Sequence, residues 1–257
     1  MLNFRNTNII FGLLLAGLIV IDIRAGMPWY VYLLLVLLYS LLLFYGCIYL
    51  SAGFFIKTWC AAKTYKKQIA ISFDDGPAQQ FTPQLLDLFA QEKIEAAFFC
   101  IGNRIAGKEA LLKRADAEGH LVANHSHTHH AMFDLYASSR MLADLQQMDA
   151  EAERVLGKRP RLFRPPYGVI NPNLRNAIEK GGYYTVGWSV RSFDTVAKNE
   201  NQLLQKVVKG IRPGAVFLFH DHCAITLAIL PRFIKEVKEQ GYEFVRLDKL
   251  LNLPPYA

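Results

Sequence analysis

Two adjacent carboxylates, Asp74 and Asp75, follow a short apolar run and precede a glycine and a proline. The run at residues 69–73 predicts a buried strand, and Gly76-Pro77 predicts a turn directly after it. Adjacent acids at a strand end repel each other unless a positive charge lies beside them. A divalent cation on one carboxylate, with the other free to act as a base, relieves this repulsion. A solvated Asp-Asp-Gly turn on the surface is the alternative interpretation.

A histidine-rich segment supplies possible partners for this acid pair. Four histidines fall between residues 125 and 130, and His125 and His129 are four residues apart. On one helical turn, these two imidazoles face the same cation. A carboxylate from Asp75 completes a three-ligand set of the kind that catalytic metal sites use. Zinc is the usual match for such ligands, and the spacing leaves other divalent transition metals open. A polar histidine-rich loop without a metal is the alternative.

A third group of residues suits acid–base chemistry. A bound divalent cation activates water for hydrolysis, and Asp74 is then the candidate general base. His220, at the end of an apolar run, is the candidate general acid, because imidazole titrates near neutral pH. Arg164 is placed to keep Asp74 ionised. Together these residues predict metal-assisted hydrolysis of an amide or an ester.

The elements that must position these side chains alternate between strand and helix from residue 65 onward. Apolar runs predict seven strands, at 68–73, 96–101, 120–124, 161–164, 183–188, 215–219 and 243–246. Helices are predicted from Thr82 and at 138–156, 172–179, 202–211 and 227–240. Strict alternation predicts an α/β fold with a parallel sheet, either open and doubly wound or an incomplete barrel.

The candidate residues follow the predicted strands. Asp, His or Arg residues stand at or just after the ends of five predicted strands, and Asp194 is the one that follows the fifth strand. Active sites of parallel α/β folds are assembled at the carboxyl ends of the strands. The distribution therefore predicts one site at that edge.

The first quarter of the chain has a different composition. The protein has 257 residues, a formal net charge of +7 and 52% hydrophobic residues, and much of the apolar excess is local. Residues 9–21 and 29–56 carry no charge, and the second run exceeds the length of a membrane span. We predict a membrane anchor at residues 1–63 with two transmembrane helices, at about 8–23 and 29–56, followed by a catalytic domain at 64–257.

The distribution of basic residues predicts the orientation of this hairpin. Arg24 lies in its connection, whereas five basic residues flank its two ends: Arg5, Lys57, Lys63, Lys66 and Lys67. The positive-inside rule then places the catalytic domain at the cytoplasmic face of a bacterial membrane. A single uncleaved span that carries the domain to the outer face is the alternative.

Two other classes of protein find no support in the sequence. Four cysteines without a C-x-x-C pair do not indicate a disulfide framework. The basic residues have no nucleic-acid-binding motif around them, so no nucleic-acid partner is predicted, and anionic lipid headgroups are their expected counterpart. The sequence does not indicate an oligomeric state.

Four motifs together resemble a known family. Ser-Phe-Asp-Asp-Gly at 72–76, His-Ser-x-x-His at 125–129, Arg-Pro-Pro-Tyr-Gly at 164–168 and Leu-Phe-His-Asp at 218–221 are similar, in order, to the signature segments of NodB-type polysaccharide deacetylases, carbohydrate esterase family 4. The resemblance implies a distorted (β/α)7 barrel. It also implies hydrolytic removal of an N-acyl group, usually N-acetyl, from an amino sugar in a glycan or a lipid-linked saccharide.

The same resemblance implies a role for each matching residue. It assigns the general base to Asp74, the general acid to His220 and the metal ligands to Asp75, His125 and His129. It also implies supporting roles: Arg164 orients Asp74, Asp194 tunes His220, the Tyr167 backbone N–H binds the oxyanion, and Leu218 lines the pocket for the acyl methyl.

One motif departs from the family pattern of Asp-x-x-Asp-Trp. Here Arg191 replaces the first acid and Thr195 replaces the tryptophan, which removes a large apolar surface beside the sugar.

Three functions follow from these observations. The first is deacetylation of peptidoglycan or another glycan at the outer face, and the second is the same chemistry on a lipid-linked amino sugar at the cytoplasmic face. The third is a catalytically silent, carbohydrate-binding membrane protein. A silent protein is expected to have lost Asp74 or a metal ligand, and none of these residues is missing.

Overall fold

The computed structural model describes residues 2–257, so Met1 of the predicted anchor lies outside the described residues. The chain begins with an antiparallel helical hairpin, α1 (Phe4–Ala25) and α2 (Trp29–Ile48). Gly26 ends α1 with a φ of 69°, and the Tyr39 hydroxyl donates to Asn8 Oδ1 across the two helices at 2.8 Å. Both helices are long and apolar enough to cross a membrane.

The predicted end of the second helix, at residue 56, is wrong. Helix α2 ends at Ile48, and the chain turns through a short 3-10 helix, Leu50–Ala52, to Gly53 in the left-handed conformation. Phe54 and Phe55 then leave the helical direction because their rings are buried against the rest of the protein. The apolar run in the sequence is longer than the helix because its last residues belong to the protein core.

The remaining chain forms a curled parallel sheet with helices packed against it. In chain order the elements are β1 (Thr58–Trp59), β2 (Gln68–Gly76), α3 (Thr82–Glu92), β3 (Ala97–Cys100), α4 (Glu109–Ala117), β4 (Leu121–Asn124), α5 (Ser138–Leu156), β5 (Leu162–Phe163), α6 (Pro172–Gly181), β6 (Tyr184–Val186), β7 (Val190–Arg191), α7 (Glu200–Val208), β8 (Val216–His220), α8 (Ala224–Glu239), β9 (Glu243–Phe244) and α9 (Leu247–Leu251).

All laddered strand pairs are parallel, in the order β1-β6-β5-β4-β3-β2-β8-β7, with β9 pairing the start of β2. An isolated bridge between Ala61 and Ala215 joins the segment after β1 to the start of β8, which brings the two ends of the sheet together. The seven predicted strands are present, and the fifth corresponds to β6. Strands β1 and β7 were not predicted, and β1 lies before residue 64, where the catalytic domain was predicted to begin.

The alternation of side chains along β2 directs Asp74 into the barrel. Ile69, Ile71 and Phe73 are fully buried in the core between the sheet and its helices. Ala70 belongs instead to the cluster on the other face, with Ala97, Phe99 and Ala123. Because successive side chains of a strand point to opposite faces, Asp74 lies on the same interior face as Ala70.

A second core joins the hairpin to the barrel. Its buried members include Leu50, Phe54 and Phe55 from the hairpin side and Phe163 and Ile170 from the barrel. Phe4, at the start of α1, and Cys47, near the end of α2, pack against the same cluster. The hairpin is therefore docked on the barrel through a shared apolar core.

Candidate active site

The predicted site residues meet at the carboxyl edge of the sheet. Asp74 and Asp75 lie near the end of β2, and His220 is the last residue of β8. His125 directly follows β4, Arg164 directly follows β5, and Asp194 comes three residues after β7. Because all these strands are parallel, their ends lie at one edge, as the sequence predicted.

Asp74 is held by a buried arginine. Arg164 Nη1 donates to Asp74 Oδ1 at 2.6 Å, and Arg164 is fully buried. The other guanidinium nitrogens donate to the carbonyl oxygens of Gly187 at 2.9 Å and Val186 at 3.3 Å. The guanidinium carbon lies 3.9 Å from the centre of the Phe99 ring. Arg164 therefore fixes one oxygen of Asp74, Oδ1, and does not bind the other oxygen, Oδ2.

Asp75, His125 and His129 form the second group. Asp75 Oδ1 lies 3.7 Å from His125 Nε2 and 3.4 Å from His129 Nε2. One ligand atom from each residue lies within 4.8 Å of the others. His125 Nδ1 is 2.8 Å from the Arg164 carbonyl oxygen, which can only accept, so the proton is on Nδ1 and the Nε2 lone pair is free.

The two histidines do not share a helical turn, so that part of the prediction is wrong. Residues 125–129 form a loop in which Ser126 and His129 have φ angles of 67° and 46°. The Ser126 hydroxyl accepts from the His129 N–H at 3.0 Å. Asp144, on α5, accepts from the N–H of His127 at 2.7 Å and from the Thr128 hydroxyl at 2.6 Å. The loop brings both rings to Asp75 by backbone turns and side-chain hydrogen bonds.

This group fits a divalent metal. Asp75 Oδ1 is buried and has no hydrogen-bond partner among residues 2–257, although buried carboxylates are normally partnered. Burial raises the pKa of Asp75, but the positive potential of His125, His129 and His220 outweighs burial and lowers it overall. A carboxylate with a buried oxygen beside two imidazoles is a set of one oxygen and two nitrogen donors, which zinc accepts.

His220 and Asp194 form a third group. His220 Nδ1 lies 2.7 Å from Asp194 Oδ1, and the His220 backbone N–H donates to Asp194 Oδ2 at 2.7 Å. The Thr226 hydroxyl donates to the same Oδ2 at 2.6 Å. Burial lowers the pKa of His220, but the hydrogen bond and the charge of Asp194 more than offset this, so the pKa is raised. Thr226, at the start of α8, escaped the sequence analysis because a lone threonine gives no signal.

The Arg-Pro-Pro-Tyr-Gly segment forms one wall. Tyr167 has a φ of 58° within a short 3-10 turn, and its hydroxyl donates to the His129 carbonyl at 3.1 Å. A Cβ atom on Gly168 would lie 2.5 Å from Trp188 Cη2, so the indole packs directly on this glycine. Trp188 was not predicted as a site residue, although it ends a predicted strand. Its indole provides an aromatic surface on this wall, whereas Thr195 has only a small exposed side chain.

The opposite wall contains Leu218 and Arg191. Leu218 is buried on β8 and pairs in register with Arg191 on β7. The Arg191 guanidinium lies 5.4 Å from the Trp188 ring centre and 4.9 Å from that of Phe193. Two further residues that the sequence left without a role border Asp75: His222 Nδ1 lies 3.8 Å from Asp75 Oδ2, and Arg104 Nη1 donates to the Asp75 carbonyl.

A curled parallel barrel with these three groups at its carboxyl edge has the layout of a hydrolytic active site in a (β/α) barrel. Comparison with known proteins agrees: the model of the polysaccharide deacetylase family matches residues 61–186. The chain is 38% identical over 195 residues to a peptidoglycan-N-acetylglucosamine deacetylase of Bacillus cereus, covering 73% of this chain and 89% of that protein. It is 30% identical to the peptidoglycan-N-acetylmuramic acid deacetylase PdaA of Bacillus subtilis, covering 73% of each protein.

A solved structure shows the same fold. The crystal structure of a peptidoglycan N-acetylglucosamine deacetylase superposes with a TM-score of 0.73 at 27% identity, covering 78% of this chain and 95% of that one. The chain therefore belongs to the polysaccharide deacetylase family, and it is a deacetylase of the hydrolase class. The prediction of a NodB-type (β/α)7 barrel is confirmed.

Proposed function

We propose that this deacetylase is a membrane-anchored, metal-dependent enzyme that removes an N-acyl group, usually N-acetyl, from an amino sugar in a glycan or a lipid-linked saccharide. One observation carries the proposal: the Asp74–Arg164 pair lies beside the Asp75-His125-His129 group, with His125 Nε2 only 3.8 Å from Asp74 Oδ2. A general base in contact with a metal-ligand set is one arrangement that hydrolyses an unactivated amide.

Each group has a task in this reaction. A divalent metal held by Asp75, His125 and His129, with zinc the first candidate, supplies Lewis-acid activation when it is bound. Asp74 takes a proton from the attacking water on Oδ2, while Arg164 holds a positive charge against Oδ1 and orients the carboxylate. His220, kept protonated by Asp194, gives its proton to the leaving amine.

Substrate positioning falls to the two walls of the site. The family resemblance assigns the backbone N–H of Tyr167 to the oxyanion, and the left-handed conformation of this residue is a strained one of the kind that persists at functional sites. The resemblance assigns Leu218 to the acyl methyl group, and Leu218 is a buried apolar side chain two residues before His220 on β8.

The experiment that tests this function is metal-dependent release of acetate. The full-length protein in detergent is stripped with a chelator, reloaded with zinc and given N-acetylchitotetraose. We expect zinc to restore acetate release, and Asp74→Asn to bind zinc but to release at least 100-fold less. Asp87→Asn is the matched control, since Asp87 is an exposed acid on α3 paired with Arg114. Equal release by wild type and Asp74→Asn would overturn the assignment.

We further propose that residues 1–63 anchor the enzyme in a bacterial cytoplasmic membrane and that residues 64–257 carry the catalysis. The excess of basic residues at the ends of the hairpin favours the cytoplasmic face for the site. The names of the peptidoglycan-directed relatives favour the outer face instead. Alkaline phosphatase fused after Ala257, with a cytoplasmic reporter as the paired control, decides between them: an active phosphatase places the site outside, and an inactive one inside.

A further inference from the structure

The helical hairpin is docked next to the active site. The Ile170 N–H donates to the Cys47 carbonyl at the end of α2 at 3.0 Å, and Ile170 is only three residues after Tyr167. Leu50, just beyond α2, approaches the Cβ positions of both Gly168 and Gly187 at 3.3 Å. Gly187 in turn accepts a hydrogen bond from Arg164. The end of the hairpin is therefore in contact with the segments that form one wall of the site.

The hairpin ends are also where a bilayer surface would lie. The 22 residues of α1 rise by about 33 Å, which matches the hydrocarbon thickness of a membrane. Trp29 and Tyr30 mark one end of the hairpin, and the stacked rings of Tyr45 and Tyr49 mark the end next to the barrel. Aromatic side chains at both ends are typical of the two membrane–water interfaces. The catalytic cleft is thus held at one of these interfaces.

Exposed apolar side chains beyond the hairpin are concentrated around the site. After Tyr49, six large hydrophobic residues are strongly exposed, and five lie in loops at the carboxyl edge of the sheet, around the site: Met132, Leu135, Tyr167, Phe193 and Val196. Leu135 is 72% exposed and adjoins Phe133, a member of the core shared with the hairpin. The sixth, Tyr65, precedes β2 at the opposite edge. An apolar rim on the face next to the hairpin suits the headgroup region of a membrane.

Two cations at this rim have no acidic partner. Lys206 Nζ lies 3.7 Å from the centre of the exposed Phe193 ring, and Arg191 covers the same ring. Neither side chain forms an ion pair with any carboxylate among residues 2–257. Arg191 is in register with Leu218, at the pocket assigned to the acyl methyl. An unpaired guanidinium and an ammonium beside a sugar site match a phosphate group.

We propose that the substrate is an amino sugar joined through phosphate to a membrane lipid and presented to the site from the bilayer surface. The proposal rests on the N-deacetylase activity and the membrane anchoring proposed above. Water adds to the acyl carbon, the C–N bond breaks, acetate leaves, and the amine stays on the sugar with its lipid phosphate unchanged. Arg191 and Lys206 bind the phosphate, and the apolar rim rests on the lipid.

The test compares two substrates with the same full-length enzyme in phospholipid nanodiscs, which expose both faces. One is N-acetylglucosamine joined through diphosphate to a long-chain isoprenoid in the same discs, and the other is soluble N-acetylchitotetraose. We expect kcat/KM for the lipid-linked sugar to exceed that for the tetraose at least tenfold. Equal or faster turnover of the tetraose would overturn the lipid proposal while leaving the deacetylase intact. Failure on both substrates with zinc present would overturn the proposed function itself.

Variants separate membrane presentation from chemistry. Leu135→Asp should lower turnover of the lipid-linked sugar at least fivefold and leave turnover of the tetraose within twofold. Tyr65→Asp places the same charge on an exposed ring at the opposite edge, and it should change neither rate. Lys206→Gln should raise KM for the diphosphate substrate at least fivefold with no matching change for the neutral tetraose, because Lys206 touches the exposed Phe193 ring and has no role in the chemistry. Equal losses on both substrates for Leu135→Asp and Lys206→Gln would contradict the proposal.

Discussion

Arg164 and Asp74 form a buried ion pair, with Nη1 and Oδ1 2.6 Å apart, and both remaining guanidinium nitrogens are bound to carbonyl oxygens. Losing one partner of such a pair leaves an uncompensated buried charge. The pair therefore has two consequences: a positive charge lies against Asp74, and the free carboxylate oxygen keeps one direction.

Arg164→Lys should uncouple these two consequences. The ammonium keeps the positive charge but cannot reproduce the planar set of three bonds, so Asp74 loses its orientation. We expect kcat for acetate release to fall about 100-fold with zinc affinity within threefold of wild type. Arg159→Lys is the control, because Arg159 pairs with the buried Asp149 away from the site. A kcat above half of the wild-type value would contradict this role.

Asp194→Asn should move the pH dependence of the reaction. Asp194 raises the pKa of His220, so removing its charge lowers that pKa. A general acid acts only while protonated, so the rate falls as pH rises through its pKa. We expect the alkaline limb of the kcat/KM profile to move to lower pH.

The control for this profile is Asp116→Asn, since Asp116 pairs with Lys158 on the outside of the barrel. It should leave both limbs in place. An unchanged alkaline limb in Asp194→Asn would mean that the limb does not report His220.

Zinc should stabilise the folded protein. A ligand that binds only the native state adds about 2.7 kcal/mol at 100 times its dissociation constant. We expect the melting temperature of the chelator-treated protein in detergent to rise on adding zinc, and Asp75→Asn to lose this rise. His130→Gln is the control, because His130 stacks on Tyr136 instead of facing Asp75. A zinc-dependent rise that persists in Asp75→Asn would exclude Asp75 as a ligand.

Gly168→Ala should damage both stability and catalysis. Gly168 has a φ of 71°, and the new methyl would meet the Trp188 indole at 2.5 Å. We expect a loss of about 2–4 kcal/mol in the free energy of unfolding, from backbone strain and overpacking together. The catalytic rate should fall as well, because Tyr167 precedes the displaced residue.

Gly157→Ala separates the two causes. Gly157 has a φ of 67°, but no atom lies within 4 Å of its Cβ position. It should lose only about 1–2 kcal/mol, with no change in rate. Similar losses in both variants would show that contact with Trp188 adds nothing.

Much of the site could be predicted because the information is local. Asp74, His125, Arg164 and His220 lie at or directly after the ends of apolar runs, and parallel strands bring such ends together whatever the details of the barrel. The division of roles between Asp74 and Asp75 came instead from the family resemblance, since both carboxylates approach His125 Nε2, at 3.8 and 3.7 Å.

The parts that could not be predicted depend on distant residues. The loop at 125–129 has two left-handed residues and is held by Asp144, so the histidine spacing alone suggested a helical turn. Strand β1 has only two residues and exists because β6 offers it an open edge. Helix α4 was missed because it is short and its nine residues include many charges.

The pairing of β1 with β6 also determines where the protein can be truncated without exposing a strand edge. A chain cut to residues 64–257 would lose the strand that covers the edge of β6, together with Leu50, Phe54 and Phe55. An uncovered edge strand beside bare apolar surface invites association with other chains. Removing the helices for crystallisation or large-scale expression therefore calls for a start between Ile48 and Leu50, where helix α2 ends and the core shared with the barrel begins.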